Sequence, residues 1–139
     1  MKYTTSFIVF PEHCNHLKEL IFGGAFMAQM DLAAAHCVRR LLFDADEGVE
    51  HAVTHKASFE FHKPSYVGDL LELEAEIESV GEKSIVVSVI AWRNKRRNRT
   101  KIATGEFVFI SVGDVGDLTS HPDFLPYKKH GLTDADIKK

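Results

Sequence analysis

The chain has 139 residues, of which 45% are hydrophobic and 27% are charged, and its formal net charge is −3. These values suit one globular domain with a buried core, and they exclude a general attraction to nucleic acid or to an anionic membrane. The first residues lack the apolar segment of a signal peptide, so the sequence predicts a cytoplasmic location and reduced thiols at Cys14 and Cys37.

The first third of the chain predicts one strand and one long helix. Residues 3–10 are rich in β-branched and aromatic side chains and favour a strand. Residues 11–24 begin with proline and end with Gly-Gly, which is typical of a connection. From Ala25 to about Phe43 the residues favour a helix, which the DADEG segment at 44–48 ends.

The rest of the chain predicts four strands and a tail. The strands cover about 51–61, 68–80, 83–94 and 99–112, and short polar turns separate them. In the second of these, LLELEAEIESV alternates apolar and acidic residues, which predicts one buried face and one wet face. The next strand contains the continuously apolar segment IVVSVIAW, which favours the centre of the sheet. Residues 113–139 are polar and predict a surface tail.

The predicted order, β-α-β-β-β-β, places a single long helix among five strands. The helix is apolar on nearly all sides and therefore needs cover on most of them. It also carries too many polar side chains for a membrane span. We therefore predict an α+β domain at residues 1–112, in which a curved antiparallel sheet cradles the helix, and a polar C-terminal tail at 113–139.

Asp31 is a single acidic residue on an apolar face of the predicted helix. At about 100° per residue, it lies opposite the polar stripe. That stripe consists of Gln29, His36 and Arg40. Asp31 is two turns inside the helix, too deep for capping, and burial of an unpaired carboxylate is costly. Two interpretations stay open: a functional carboxylate beside a substrate channel, or a structural acid paired with a basic side chain such as Lys56 or Lys63.

Gly23 and Gly24 lie where the predicted helix begins. The first backbone N–H groups of a helix have no partner within the helix, and glycine lets a ligand approach them closely. An N–H group at this point can polarise a carbonyl group, with Asp31 two turns further along. The other interpretation is that Gly-Gly only makes the turn.

Three segments of the sequence together resemble one known family. They are the stretch from Asn15 to Ala35, with the pattern N-x5-IFGGAFMAQMDLAAA, then FEFHKPSYVGD (59–69) and VGEKSIVVSVIAW (80–92). Their order and spacing are similar to the hotdog-fold acyl-CoA thioesterases, in particular the bacterial short-chain acyl-CoA hydrolases and the cytosolic brain acyl-CoA hydrolase. The resemblance covers about residues 5–112. It implies a hotdog fold, in which a five-stranded antiparallel sheet wraps a long central helix.

The resemblance also implies an assembly and an active site. Two chains pair edge to edge along the strand at 51–61, higher oligomers are built from such dimers, and the active site lies at the dimer interface. Asp31 matches the family's general base or nucleophile, and Asn15 matches a loop asparagine that acts in the other chain's site. Gly23 and Gly24 match the family's Gly-Gly pair, with the amide near Gly24 polarising the thioester carbonyl. The loop after Asn15 is one residue longer here than in the family.

The implied activity is hydrolysis of acyl-CoA thioesters to free acid and CoA, without a cofactor or a metal. The chemistry suits a small set of groups, because a thiol with a pKa near 8.5 leaves readily and needs no strong general acid. One carboxylate and backbone N–H donors are therefore sufficient. Two other functions stay open: a non-catalytic acyl-CoA-binding module, and a hotdog dehydratase, which uses a His-Asp pair.

Other residues are candidates for substrate binding. Ser58 is expected to line the site, and Lys83 and Ser84, in the VGEKS turn, are expected to contact CoA, although Ser84 also suits an ordinary strand start. Arg96 and Arg97 belong to a basic hairpin at 93–101 that either attracts CoA phosphates or is only a solvated turn. No aromatic residues interleave these charges, so nucleic acid is not an expected partner.

A small cluster of His13, Cys14 and His16 has three interpretations. A Cys-His nucleophilic pair would need a third, orienting group, and none is evident. A zinc site would need further ligands, and the cluster has no Cys-x2-Cys partner. We favour the third interpretation, a polar loop near the mouth of the active site, and expect no metal.

Overall fold

The computed structural model describes residues 1–17, 19–44, 51–113 and 127–138. In chain order, its elements are β1 (Lys2–Ile8), α1 (Gly23–Asp44), β2 (His51–Phe61), β3 (Leu70–Val80), β4 (Ser84–Lys95), β5 (Asn98–Val112) and α2 (Asp134–Ile137). A 3-10 turn at Pro11–His13 precedes α1. The order β-α-β-β-β-β is confirmed, with α2 as an additional short helix. Most of the predicted DADEG helix stop, from residue 45 onward, lies outside the described residues.

The five strands form one antiparallel sheet in the order β1-β3-β4-β5-β2. β4 is the middle strand, as its continuously apolar sequence predicted. β3, β4 and β5 follow one another as hairpins, while β1 and β2 occupy the two edges. α1 crosses one face of this sheet, as the sequence pattern predicted, and the arrangement is the hotdog fold that the resemblance implied.

The two faces of the sheet differ as the β3 sequence predicted. Its apolar residues Leu71, Leu73, Ala75 and Ile77 are buried under α1. The alternating glutamates point to the other side, which we call the outer face. β4 repeats this alternation with Ile85, Val87, Val89 and Ala91 buried.

One side of α1 packs against the sheet and the other side is open in the single chain. The buried side consists of Phe26, Met30, Ala33, Ala34, Cys37, Val38, Leu41 and Leu42. On the open side, Leu32 is 50% exposed and Phe43 is 82% exposed. The sheet of one chain therefore covers only part of this helix, less than its apolar sequence requires. No helix in the described ranges is both long and apolar enough to cross a membrane.

Both cysteines are free thiols. Cys37 lies inside the core, with its Sγ 3.8 Å from the carbonyl oxygen of Ala75. Burial raises the pKa of the Cys37 thiol to about 11. Because a neutral thiol is a poor nucleophile, Cys37 serves in packing at physiological pH.

The C-terminal segment at 127–138 differs from the predicted surface tail. Tyr127 forms a bridge to Val112, and α2 packs against β3. His130 is 1% exposed and Leu132 joins the core. The polar composition of this segment predicted exposure, but a polar side chain can be buried when its hydrogen bonds are satisfied. Both ring nitrogens of His130 have hydrogen-bond partners, which explains its burial. The remainder of the predicted tail, 114–126 and 139, lies outside the described residues.

Candidate active site

A bulge in β2 decides which side chains of this strand face α1. Thr54 lies opposite Phe109 in β5, whereas Lys56 lies opposite Val108, so His55 is an extra residue. Phe109 is buried under the helix, and directly opposed residues share a face of the sheet. Thr54 therefore faces α1, while Lys56 faces outward.

Asp31 is half-buried near the middle of α1, and its partner is Thr54. The Thr54 hydroxyl donates a hydrogen bond to Asp31 Oδ1 at 2.9 Å. Among the described residues, no basic side chain forms an ion pair with Asp31. The structural alternative, a pairing with Lys56 or Lys63, is thus absent from the described chain, and a neutral group holds the carboxylate.

The first turn of α1 presents free backbone donors on the same face as Asp31. Phe26 N–H donates to Phe22 O at 3.0 Å, which is the first bond of the helix. Within the described ranges, the N–H groups of Gly23 and Gly24 donate to no acceptor. Gly24 and Asp31 are seven residues apart, so they share a helix face at a separation of ~10 Å along the axis. This is room for a water molecule and a carbonyl group between donor and carboxylate.

The two glycines have different surroundings. A side chain at Gly23 would meet no atom within 4 Å, so the space beside it is open. At Gly24 an added Cβ would lie 2.6 Å from the Phe22 ring. A side chain at Gly24 would therefore have to displace the exposed Phe22 ring, which is a local reason for glycine here and is compatible with a role for the amide.

Asn15 lies in a loop that is tied to the beginning of α1. Its Oδ1 accepts the N–H of Leu17 at 2.9 Å, and its own N–H donates to Leu20 O at 2.9 Å. Phe22 N–H closes the loop by donating to His13 O at 2.7 Å. Within the described part of the chain the side-chain NH2 of Asn15 makes no hydrogen bond, and no contact joins it to Asp31.

Ser58 is not brought near Asp31 within the chain. It lies opposite Glu106, which lies opposite Ser88, and all three point to the outer face of the sheet. There they line a shallow depression of about 350 Å³ together with Glu60 and Thr104. Asp31 is on the helix side, so one chain alone does not support Ser58 as a lining residue of the Asp31 site.

Lys83 and Ser84 are also distant from the beginning of α1. They lie in the turn between β3 and β4, at the sheet end where β2 starts. Their carbonyl oxygens accept hydrogen bonds: Lys83 O from Ser111 N–H at 2.8 Å, and Ser84 O from His130 Nε2 at 3.1 Å. This turn therefore anchors the C-terminal segment, and the expected CoA contact has no support within one chain.

Arg96 and Arg97 form the tip of the hairpin between β4 and β5. Their φ angles of 49° and 67° lie in the left-handed region, as a tight two-residue turn requires. Both side chains are exposed and border a surface depression of about 320 Å³. The tip is at the sheet end where α1 begins, because the preceding Arg93 donates to Pro64 O at 2.9 Å and Ile21 N–H donates to Ser65 O.

Arg99, in the same basic hairpin, is held by contacts within the protein. It forms ion pairs with Glu74 and Glu72 on β3, and its guanidinium lies 4.1 Å from the centre of the Trp92 ring. The hydrogen bonds to Glu74 and Glu72 raise the pKa of Arg99 further above its ordinary value. The charge available to a ligand is thus concentrated at the tip.

The loop cluster near Asn15 has local partners. His13 Nδ1 accepts the N–H of Phe10 at 3.0 Å, and Cys14 Sγ lies 3.5 Å from Phe10 O. In the described ranges, no three side chains of the metal-binding types converge. The geometry favours neither a Cys-His nucleophilic pair nor a zinc site.

No sequence pattern singled out Thr54, which is the residue that contacts Asp31. A threonine in a strand next to a histidine is unremarkable, and its orientation depends on the bulge at His55. Only the register against β5 reveals that its hydroxyl faces the helix.

A long helix on a five-stranded antiparallel sheet, with a half-buried carboxylate two turns from free amides, defines a hotdog protein with a candidate active site on α1. The chain belongs to the thioesterase superfamily, whose family profile matches residues 19–99. It is 34% identical over 97 residues to an uncharacterized acyl-CoA thioester hydrolase of Zymomonas mobilis, an alignment that covers 68% of this chain and 61% of that protein.

Comparison with solved structures also finds acyl-CoA thioesterases. The acyl-CoA hydrolase from Staphylococcus aureus, in complex with butyryl coenzyme A and coenzyme A, superposes with a TM-score of 0.72 at 28% identity, over 81% of this chain and 66% of that one. It has also been solved as an alanine variant of an asparagine and of an aspartate. The hexameric thioesterase from Yersinia pestis has a TM-score of 0.71 at 26% identity, over 81% of this chain and 88% of its own. In these alignments with the Zymomonas protein and the butyryl coenzyme A complex, the chain spans less than two thirds of its relative.

Proposed function

We propose that the protein hydrolyses acyl-CoA thioesters to free acid and CoA. The observation that carries this proposal is the geometry of α1: a half-buried Asp31, held by the neutral hydroxyl of Thr54, shares a helix face with the free amides at Gly23 and Gly24. The relatives named as acyl-CoA hydrolases support the substrate class.

In the proposed reaction, the thioester carbonyl lies between Gly24 and Asp31. Asp31 takes a proton from a water molecule, whose oxygen attacks the carbonyl carbon, and the amide near Gly24 stabilises the negative charge on the carbonyl oxygen. Collapse of this intermediate breaks the C–S bond, and the CoA thiolate leaves and takes up a proton. In the alternative route, Asp31 attacks the carbonyl carbon directly, the C–S bond breaks as CoA thiolate leaves and takes up a proton, and water then hydrolyses the mixed anhydride to the free acid and the Asp31 carboxylate.

We further propose that the protein is a cytoplasmic homodimer, or a higher oligomer of dimers, in which Asn15 serves the partner's site. The exposed side of α1 and the free edge of β2 support pairing at this surface. The hexameric Yersinia thioesterase supports a higher oligomer. In the Staphylococcus enzyme, one asparagine and one aspartate were each replaced by alanine. Their separation in the sequence is one residue shorter than that of Asn15 and Asp31, which agrees with the longer loop here.

The alternative functions have less support. A hotdog dehydratase needs a histidine beside the aspartate, and in the described part of the chain Asp31 forms a hydrogen bond with Thr54 and none with a histidine. A binding module without catalysis has no need of free donors two turns from an acid.

The test is a panel of acyl-CoA substrates with detection of released thiol, applied to the wild type and to Asp31→Asn. We expect turnover by the wild type, and a fall of at least about a hundredfold in the variant, which is the usual scale for loss of a general base. Circular dichroism and sedimentation should show the variant folded and assembled as the wild type is. Wild-type binding of acyl-CoA without turnover would instead identify a binding module.

A further inference from the structure

The face of α1 that carries Gly24 and Asp31 continues into a cavity. Ala35, Val38 and Leu42 follow Asp31 at intervals of four, seven and eleven residues, which keeps them on one face of the helix. Together with Ala52 and Phe109 of the sheet, they line a cavity of about 250 Å³ between α1 and the first residues of β2.

The cavity lies next to the Asp31 site, although Asp31 and Thr54 themselves do not line it. Phe109, in its wall, lies opposite Thr54 in the sheet, and Thr54 is bonded to Asp31. A group attached to a carbonyl between Gly24 and Asp31 can therefore extend toward the C-terminal end of α1 and enter this space. The CoA portion would leave in the other direction, toward the sheet end where the basic tip of Arg96 and Arg97 lies.

The far end of the cavity is polar. Arg39 Nη1 donates a hydrogen bond to His51 Nδ1 at 3.0 Å, and both side chains belong to the lining, as does His36. An apolar chain long enough to reach this pair would place a methyl group against a guanidinium and remove water from it, which is unfavourable. The lining thus favours an apolar occupant up to a fixed length.

We propose, on the basis of the proposed function, that this cavity receives the acyl chain and that Ala35 and Ala52 set its maximum length. A cavity of about 250 Å³ has room for several methylene groups. Each buried methylene then improves kcat/KM by about fourfold until the cavity is full. The substrate class is short and medium saturated acyl-CoA.

The experiment measures kcat/KM for acetyl-, butyryl-, octanoyl- and palmitoyl-CoA in three variants. Ala35→Leu fills the cavity from the helix and Ala52→Leu from the sheet, so two independent walls test the same space. We expect each to lower kcat/KM for octanoyl-CoA by about tenfold or more, with acetyl- and butyryl-CoA within about twofold of wild type. Ala135→Leu, on the exposed side of α2, is the matched control and should leave the profile unchanged.

An unchanged chain-length profile in both filled variants would overturn the proposal, as would an equal loss for all substrates in folded protein. A wild type that hydrolyses no acyl-CoA would disprove the proposed activity alone. In that case, calorimetry of the same ligands tests whether the cavity binds the acyl chain. We then expect the affinity to rise from acetyl- to octanoyl-CoA in the wild type, and we expect both leucine variants to remove this rise. Equal affinities at all lengths would overturn it.

Discussion

Thr54 Oγ1 donates a hydrogen bond to Asp31 Oδ1 at 2.9 Å, and this bond joins the middle of α1 to edge strand β2. A hydrogen bond to one oxygen fixes the rotation of the carboxylate and leaves the other oxygen for water or substrate. Because the donor is neutral, the negative charge of Asp31 is not cancelled by an ion pair. Thr54 is therefore a positioning residue for the proposed base.

Two substitutions of Thr54 test the shape of its side chain and its hydroxyl group separately. Thr54→Val keeps the shape and should lower kcat by about tenfold, since a hydrogen bond to a charged group is lost. Thr54→Ser keeps the hydroxyl and should stay within about threefold of wild type on the same scale. Steady-state kinetics measure both variants. Equal kinetics for Val and Ser would show that the bond to Asp31 has no role in turnover.

The open side of α1 and the edge of β2 predict an oligomer. Leu32 is 50% exposed on this side, and we expect β2 to pair with β2 of a second chain. Sedimentation at micromolar concentration should show a dimer or a larger species. Leu32→Glu should shift the protein toward monomer and reduce turnover, because Asn15 is proposed to act in the partner's site.

The control for this prediction is Ile8→Glu, which places the same charge on the other edge strand, where Ile8 is 47% exposed. This variant should retain the β2-mediated dimer. A wild type that is only monomeric would contradict the assembly and would leave Asn15 without a site to serve.

The tip residues Arg96 and Arg97 predict a salt-dependent KM. If their charges attract CoA phosphates, replacement of both by serine should raise KM for acyl-CoA at low salt with kcat nearly unchanged. The difference should shrink as the Debye length falls from about 10 Å at 0.1 M salt to about 3 Å at 1 M. Initial rates at several salt concentrations provide the measurement. A small thioester without the nucleotide should show no difference between the wild type and the variant. Equal KM values of the two proteins for acyl-CoA at low salt would mean that the tip is only a solvated turn.

His130 predicts a contribution of the C-terminal segment to stability. Its Nδ1 accepts Leu132 N–H at 2.9 Å and its Nε2 donates to Ser84 O at 3.1 Å, in a buried position. His130→Ala leaves both partners unsatisfied and should lower the free energy of unfolding by about 2 kcal/mol. Urea denaturation at one fixed protein concentration measures the change.

The matched control is the neighbouring residue Lys129, whose ion pair with Glu82 is 3.7 Å long and largely exposed. Lys129→Ala should change the stability by less than about 0.5 kcal/mol. A loss in His130→Ala no greater than in this control would mean that the segment is not anchored to the β3–β4 turn in solution.

The fold could be predicted from the sequence where side-chain periodicity decides it. Alternation in β3 and the continuous apolar run in β4 fixed their burial and their places in the sheet. The cover of α1 was predicted less well, since Leu32 and Phe43 remain exposed in one chain, and we propose that a second chain covers this side. Periodicity reports which residues need burial and does not say which chain buries them.

The position of the proposed base, Asp31, on α1 was predictable from the sequence, and the residues around it were not. Asp31 was identified because a carboxylate among apolar residues is costly. Ser58 was expected beside it, yet its register places it on the outer face of the sheet, and register follows from pairing with β5. The burial of His130 could not be predicted from its polar segment, because it depends on a hydrogen-bond acceptor that is far away in the sequence.

The extra residue His55 changes the parity of β2. Side chains along a strand alternate between its faces with a period of two residues. Before the bulge the even-numbered residues Ala52 and Thr54 face the helix, and after it the odd-numbered Ala57 and Phe59 do. If the same sequence paired with β5 without the bulge, with Lys56 still opposite Val108, His55 would lie opposite Phe109 in place of Thr54. The group beside the carboxylate is therefore specified by the bulge in β2 as much as by the identity of residue 54.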